Sequence, residues 1–515
     1  MRLELLLAGH ARRTPEKTAV VVHGTRISYL ELYEGSLRVA AGLRGLGVKA
    51  GDRVIAYLPN GIEFVQFMFA TFHLGATLVP VNTRLTPKEL AYFAEDSEAN
   101  VLCVDSSSLD ALAPVADVFK DMHWVVTGTP RPGQVPYTTL ASHAIEELPE
   151  IPLEFCEDCM VIYTSGTTGR PKGAIITMAN FIIQHAHLNA LEWNIRAHDI
   201  FLVTTPLAHR TGMARMMNSL CLGATLVVMD RFDPEEAIAL IDEYKVSAIG
   251  MVPTIARMLL PHLKLAAHRC ASLRHIIVTG EAFPVEVKKS LIGLLPDVEL
   301  HSFFAMTEVG AVTGLNHQEQ FTHPASVGRV TPGVEVKLIN DAGQRVPVGE
   351  AGELVVRTGE PGNFLTMRGY YKRPEETAKA IVDGWIHTGD MARMDEDGYM
   401  YIVDRKKDMV LSGGFNIYTK EVETILLEHP SVLDAAVVGV PDPIFGEAVA
   451  AFIELRPGTR LDAETVIEHC RERIAGYKKP KHVFFIDTLP RNALGKVLKA
   501  PLRESAAKSV SQETS

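Results

Sequence analysis

Four hydroxyl-bearing residues (Thr164, Ser165, Thr167, Thr168) and three glycines (Gly166, Gly169, Gly173) fall within ten positions in the run Tyr163-Thr-Ser-Gly-Thr-Thr-Gly-Arg-Pro-Lys-Gly-Ala174, with Lys172 near its end. This mixture suits a polyphosphate. Glycines let backbone N–H groups approach the oxygens closely, hydroxyls donate, and an ammonium group adds charge. Residues 160–163, Met-Val-Ile-Tyr, read as a short buried strand feeding the loop. No Gly-Lys-Ser/Thr follows at the required spacing, so this is not a Walker loop. For the run on its own, an ordinary Ser/Thr/Gly connection is the competing reading.

Other reactive residue types are sparser. Cys156 and Cys159 form a lone C-x-x-C without a second pair at zinc-ribbon spacing, which argues against a metal or redox site. His185 and His187 form an equally weak H-x-H. Six cysteines in 515 residues point to a reducing compartment rather than a disulfide framework. The net charge of −11 argues against a general nucleic-acid or anionic-membrane binder. Residues 471–505 run against that balance, with nine Lys/Arg against three Asp/Glu. Such a stretch meets a polyanion or is simply a solvated basic face. No segment approaches the ~18 apolar residues that span a bilayer, and neither an export pattern at the start nor a peroxisomal ending is present. A cytoplasmic protein without stable membrane insertion is expected. The oligomeric state is left open, a homodimer among the options.

These residues need a scaffold, and the chain supplies one of alternating aliphatic runs and helical patterns. Residues 54–58, 76–81, 225–229, 247–252 and 275–279 read as strands, and 62–73 and 234–244 as helices. Asp233 before Pro234, with Glu236 three positions on, is a helix-start signal. Alternation of this kind gives parallel sheets covered by helices. Leu74-Gly-Ala-Thr-Leu-Val79 recurs as Leu222-Gly-Ala-Thr-Leu-Val227. Two related α/β subdomains would explain the echo, and so would chance or shared turn chemistry. From Thr331 onward the texture becomes short strands and turns, with Asn340-Asp-Ala-Gly and Asp395-Glu-Asp-Gly as turn signals. A smaller unit follows Arg405, with strands near 433–440, 449–455 and 483–486 and a helix near 463–474. The class expected is α/β: a large N-terminal domain over 1–403, a charged hinge at 404–408, a small mobile α+β C-terminal domain over 409–503, and a disordered polar tail over 504–515.

Further signals stand in a definite order after the phosphate loop. They are Pro206-Leu-Ala-His209, Thr279-Gly-Glu-Ala-Phe-Pro284, Phe303-Phe-Ala-Met-Thr-Glu308, His387-Thr-Gly-Asp390, Asp404-Arg-Lys-Lys-Asp-Met-Val-Leu-Ser-Gly-Gly-Phe-Asn416 and Pro490-Arg-Asn-Ala-Leu-Gly-Lys496. Together they resemble the adenylate-forming superfamily of acyl-CoA synthetases, amino-acid adenylation domains and beetle luciferases, over nearly the whole chain. The resemblance implies an ATP-dependent acyl-CoA ligase that activates a carboxylic acid as acyl-AMP and passes the acyl group to coenzyme A, with Mg2+ as cofactor. It implies that Lys496 bridges the acyl carboxylate and the α-phosphate. Glu308 holds Mg2+ and Thr307 bonds the α-phosphate. Ser165, Gly166, Thr167, Thr168 and Gly169, with Thr164 and Lys172 at the loop's ends, clasp the β- and γ-phosphates. Gly280, Glu281 and Ala282 lie against nucleotide and acyl group. Phe304 stacks on adenine where the family usually has tyrosine, with Ser302 in the same strand. Asp390 and Arg405 take the ribose. His209 gates the acyl and pantetheine tunnels, Lys407 is the hinge, and Gly413 and Gly414 border the pantetheine channel. Lys478 and Lys479 are candidates for the phosphates of coenzyme A.

The acid is less legible. The segment 206–213 lacks the aspartate that holds a substrate ammonium in amino-acid adenylation domains. Arg210 and Arg215 are unusual in an apolar stretch: either one faces the acyl pocket and binds a second carboxylate or polar tail, or both pair with other polar groups of the chain. Phe303 and Met306 would favour a compact acid. A ligase that loads a carrier protein, and a silent acyl- or nucleotide-binding protein, are the alternative functions.

Overall fold

The computed structural model describes residues 2–145, 147–148, 150–152, 157–164, 170–280, 283–413, 415–491 and 497–513. Two strand–helix–strand units set its frame. Arg53–Tyr57, Ile62–His73 and Thr77–Pro80 make one, and Ile200–Val203, Arg210–Leu222 and Thr225–Val228 the other. In each the two strands pair in parallel, Arg53 beside Thr77 and Ile200 beside Thr225, as a helical crossover requires. The echoed hexapeptide is the way out of the helix in both. Gly75 and Gly223 take φ values of 64° and 73°, the left-handed setting that ends a helix and favours glycine. Shared turn chemistry therefore accounts for the glycine of the repeat, and the equivalent placement of the two units fits the expected pair of subdomains.

Each unit is the kernel of a mostly parallel sheet. The first sheet has eight strands, in the order Gly369–Tyr370, Lys172–Thr177, Asp158–Thr164, Thr77–Pro80, Arg53–Tyr57, Val101–Asp105, His123–Thr127 and Val135–Pro136. The second has nine: Arg329–Val330, Gly310–Leu315, Glu299–Met306, His275–Val278, Ala248–Met251, Ile200–Val203, Thr225–Val228, Thr18–Val22 and Thr25–Ser28. Aliphatic strand residues carry the cores. Ile55, Val79, Leu102 and Val126 pack under Leu90 and Phe93 in one sheet, and Leu202, Ile249 and Ile276 pack under Ile238, Ile241 and Leu259 in the other. Asp233 caps the helix Pro234–Tyr244 by accepting from the Glu235 and Glu236 N–H groups at 3.0 and 2.9 Å.

The chain divides into two compact units. The first comprises Met1–Val336, Val356–His387 and Gly398–Met400, and the second Lys337–Val355, Thr388–Asp397 and Tyr401–Ser515. The second unit takes in 337–355 and 388–397 as well as everything from Tyr401 on. Its sheet runs Phe415–Ile417, Val410–Ser412, Gly446–Leu455, Val432–Asp442, with His482–Phe485 parallel to Gly446–Leu455. The long strand Val432–Asp442 feeds two cores, because alternate residues face opposite ways. Val437 packs with Val422, Leu426 and Val466, while Val438 packs with Phe452, Leu502 and Ala506.

That second core corrects the expectation for the tail. Residues 504–513 are not a disordered segment but part of the helix Lys499–Glu513. Leu502 and Ala506, one turn apart, are buried against the sheet, which outweighs a polar composition that taken alone predicts disorder. The charged stretch 404–408 is not uniformly solvated either. Asp404 is buried and accepts from both the backbone N–H and the hydroxyl of Thr419.

Candidate active site

The phosphate loop closes a β-hairpin. Asp158–Thr164 pairs antiparallel with Lys172–Thr177, which sets Thr164 directly across from Lys172. Ser165, Gly166, Thr167, Thr168 and Gly169 lie outside the described residues; the two ends of the loop do not. Packing at its base is tight, since a β-carbon on Gly173 would come within 2.4 Å of the Val161 side chain. Tyr163 stacks on Phe93 with centroids 4.2 Å apart and donates to Asp96 at 2.8 Å.

Glu308 meets these loop ends. It sits in a turn between Glu299–Met306 and the antiparallel strand Gly310–Leu315, where Gly310 takes a φ of 67°. The Thr164 hydroxyl donates to Glu308 Oε1 at 3.0 Å, and the Tyr370 hydroxyl donates to the same oxygen at 3.2 Å. Lys172 Nζ stands 5.1 Å from the centre of the Tyr370 ring. Burial, with the Glu308 charge beside it, raises the Tyr370 pKa, so the phenol stays protonated and donating. Thr307 shares the turn. Carboxylate and hydroxyl oxygens beside a phosphate loop form a hard donor set of the kind that suits Mg2+.

Tyr370 was not singled out by sequence. It reaches the site because Gly369–Tyr370 pairs antiparallel with Lys172–Thr177, Tyr370 beside Ala174. The only local sign was a Gly-Tyr-Tyr triplet after Arg368.

The strand Glu299–Met306 carries the other expected contacts. Phe304 is half-buried beside Thr313, and Phe303, facing the opposite way, is buried 5.4 Å from the Trp193 ring. The buried Ser302 hydroxyl is engaged with the Gln320 side chain, which donates to it at 2.8 Å. Gly280 follows the neighbouring strand with a φ of 101°; Glu281 and Ala282 lie outside the described residues.

His209 caps the helix Arg210–Leu222, its Nδ1 accepting from the Thr211 N–H at 3.3 Å. Burial lowers its pKa to about 4, so the ring is neutral at physiological pH and, with Nδ1 accepting, carries its proton on Nε2. The loop before it is pinned by Asn60, which accepts from Leu207 N–H at 2.7 Å and donates to the Met229 carbonyl at 2.8 Å. Only glycine fits at 212, where a β-carbon would lie 2.2 Å from the Pro206 carbonyl oxygen.

In the second unit, Asp390 and Arg405 come together. Arg405 Nε lies 2.6 Å from Asp390 Oδ1, and the Asp390 N–H donates to the Thr388 hydroxyl at 3.1 Å. Lys407 is exposed in the turn that follows, and its carbonyl accepts from Arg503 at 3.1 Å. Gly413 has a φ of 56° with Phe445 pressed against it, 3.2 Å from where a β-carbon would sit. Lys478 is bridged to Glu421 at 2.7 Å, so a role at coenzyme A would require it to leave that partner. Gly414 and Lys496 lie outside the described residues.

The weaker motifs form no site among the described residues. Cys159 is buried and reduced, and burial raises its pKa well above the thiol range; Cys156 lies outside them. His185 is buried while His187 is exposed, so the two do not act as one chelate.

Residues 7–371 match the AMP-binding enzyme family and residues 421–496 its AMP-binding enzyme C-terminal domain. A feruloyl-CoA synthase of Amycolatopsis sp is 35% identical over 495 residues, covering 96% of both chains. A long-chain-fatty-acid–CoA ligase of Bacillus subtilis is 32% identical over 538 residues, 98% of this chain and 94% of that one. Among solved structures, o-succinylbenzoate coenzyme A synthetase from Bacillus subtilis with ATP and magnesium superposes with a TM-score of 0.84 at 29% identity, over 97% of this chain and 98% of that one.

Proposed function

Since the chain belongs to the AMP-binding enzyme family and is an AMP-forming acyl-CoA ligase that uses ATP, Mg2+ and coenzyme A, we propose how its residues divide the two half-reactions. In the first, the carboxylate of the acid attacks the α-phosphorus of ATP, the bond to the β-phosphate breaks, and pyrophosphate leaves acyl-AMP behind. Two anions must meet, so positive charge is required where they join. Lys496 supplies it between the acyl carboxylate and the α-phosphate, and Thr307 donates to the same phosphate. Glu308 holds Mg2+, which when bound neutralises phosphate charge. Thr164 and Tyr370 fix one Glu308 oxygen and leave the other to the cation. Ser165, Thr167, Thr168 and the glycines of the loop wrap the leaving pyrophosphate, and Lys172 adds charge at the rim. Phe304 presents its ring face to adenine, and Asp390, held by Arg405, accepts from the ribose hydroxyls.

In the second half-reaction the thiolate of coenzyme A attacks the acyl carbonyl and AMP departs. The C-terminal residues turn about Lys407 between the two steps, withdrawing Lys496 and bringing the backbone at Gly413 and Gly414 to the pantetheine channel, whose mouth the neutral His209 gates. The enzyme works in the cytosol, a setting supported by its five buried free thiols among the described residues. The observation that carries this assignment is the convergence of Thr164, Lys172, Tyr370 and Glu308 at the mouth of the phosphate hairpin. Kinship does not select the acid, since the three relatives are named for three different acids.

Lys496→Ala tests the division directly. It should abolish pyrophosphate release from ATP and acid while sparing thioester formation from a supplied acyl-adenylate. Equal loss of both steps would refute the assignment of Lys496 to adenylation alone, and pyrophosphate release that ignores coenzyme A would favour a carrier-protein acceptor.

A further inference from the structure

The helix that follows His209 carries two cations into the interior of the first unit. Arg215 is 1% exposed, and among the described residues none of its three guanidinium nitrogens has a hydrogen-bond partner. Its neighbours are flat and apolar: the Trp193 ring at 5.5 Å and the Phe303 ring at 5.6 Å. Room for its stem is built into the sheet at Gly250, where a β-carbon would collide with Arg215 Cδ at 2.3 Å. Arg210 lies over the Phe181 ring at 4.5 Å. Among the described residues it makes one long hydrogen bond, to Gln184 at 3.4 Å, and its Nη1 is buried without a partner. Among the described residues no carboxylate pairs with either arginine, so the reading in which they serve other polar groups of the chain finds only the Gln184 contact.

A third donor belongs to the same group. His185 is fully buried and its Nδ1 faces the Asn189 amide at 3.2 Å. The amide Nδ2 donates, so His185 Nδ1 accepts and the proton is on Nε2, which is also without a partner among the described residues. Burial above all, with both arginine charges bearing on this ring, holds it neutral. His185 sits in a π-helical segment, Ile182–Leu188, a departure from α geometry that often accompanies functional sites. Unpaired buried charge is costly, and the field of each arginine opposes the other. Burial and mutual repulsion lower the Arg215 pKa to about 9, which still leaves it cationic at neutral pH. Such a cluster of unpaired buried donors, with no carboxylate among the described residues to meet it, is complementary to an anion.

We propose that Arg215, with Arg210 and His185, binds a second carboxylate at the far end of the acid substrate, so that the enzyme activates dicarboxylic acids in preference to monocarboxylic ones. This rests on the ligase assignment above. The strand Glu299–Met306 relates the two ends. Phe303, against which Arg215 lies, precedes Thr307 by four residues, about 13 Å of extended chain. One strand therefore carries both Phe303, beside these donors, and the turn that holds Thr307 and Glu308. The ATP phosphates are already served there by the hairpin and the Glu308 turn, which leaves the acid as the anion to be bound.

The test measures kcat/KM for pyrophosphate release with α,ω-dicarboxylic acids of graded length and with the monocarboxylic acids of the same lengths, in the wild type and in Arg215→Met. The wild type should favour a diacid, and the substitution should lower the diacid-to-monoacid ratio on the order of 100-fold, as expected when a buried charge loses its partner. Because the readout is a ratio within one protein, a partly folded variant does not distort it. Thermal unfolding gives a second measurement. The preferred diacid should raise the melting temperature of the wild type and not that of Arg215→Met, and the variant without ligand should melt no lower than the wild type. A wild type that prefers monoacids, an unchanged ratio, or a loss confined to the affinity for ATP would each overturn the proposal. Coenzyme A-dependent thioester formation from monoacids in those cases would show that the ligase assignment stands while this one falls.

Discussion

Tyr370 places a phenolic hydroxyl 3.2 Å from the oxygen of Glu308 that Thr164 already serves. A hydrogen bond to a charged group contributes about 1.5–3 kcal/mol, so Tyr370→Phe should cost roughly tenfold or more in kcat/KM. If the hydroxyl acts by orienting Glu308, the loss should appear as a raised requirement for Mg2+ in pyrophosphate release, with the KM for the acid little changed; an unaltered Mg2+ dependence would show that the contact does nothing for the cation. The partners of this one bond differ in how far sequence reveals them. Glu308 and Thr164 lie in runs whose composition and order announce phosphate chemistry. Tyr370 is 62 residues beyond Glu308 and enters through the pairing of a two-residue edge strand, which leaves almost no periodic signal. Arg210 and Arg215 were visible as arginines in an apolar stretch, but whether the chain supplied them an anion depended on what packs around residues 181–193 and 303, and spacing alone does not encode that.

Elements whose stability comes from one sheet and its crossover helix were legible to within a residue or two. The helices Ile62–His73 and Pro234–Tyr244 fall where apolar periodicity and the Asp233 cap put them. The terminal helix did not, because its evidence is tertiary. Over Lys499–Glu513 the sequence is largely polar, and the helix is held by Leu502 and Ala506 against Val438 and Phe452. Leu502→Ala should therefore lower the stability of the second unit by about 2–5 kcal/mol, the range for truncating a buried leucine. Denaturant unfolding of the whole enzyme, followed by a probe in the second unit, would measure it. A change below about 0.5 kcal/mol, the scale of a surface substitution, would mean that the tail does not depend on this contact.

At the scale of the molecule, a ligase that runs two chemistries with one set of domains needs a point where the backbone can take two settings, and Lys407 is the residue proposed for it. Its surroundings separate backbone from side chain. The side chain is exposed, whereas the chain around it is tied down: Asp404 to Thr419, Asp408 to Arg503, and the Lys407 carbonyl to Arg503 as well. Arg405 and Asp408 close a turn through a 2.9 Å backbone hydrogen bond. Lys406 is held as well, its N–H donating to the Gly389 carbonyl at 2.8 Å, so rotation is concentrated on Lys407, and a change of its side chain alone should matter little. Lys407→Ala should keep both half-reactions within about threefold, as for a surface substitution that costs little. Lys407→Pro fixes φ near −65° and drives Lys406 toward extended geometry. It should retain pyrophosphate release in a single turnover while slowing thioester formation from a supplied acyl-adenylate on the order of 100-fold, a barrier increase of about 2.7 kcal/mol. Rapid-quench measurement of the two steps in the two variants decides the matter. Full turnover in Lys407→Pro would remove the hinge from this position, and loss of thioester formation in Lys407→Ala would assign the role to the ammonium group instead of to the backbone.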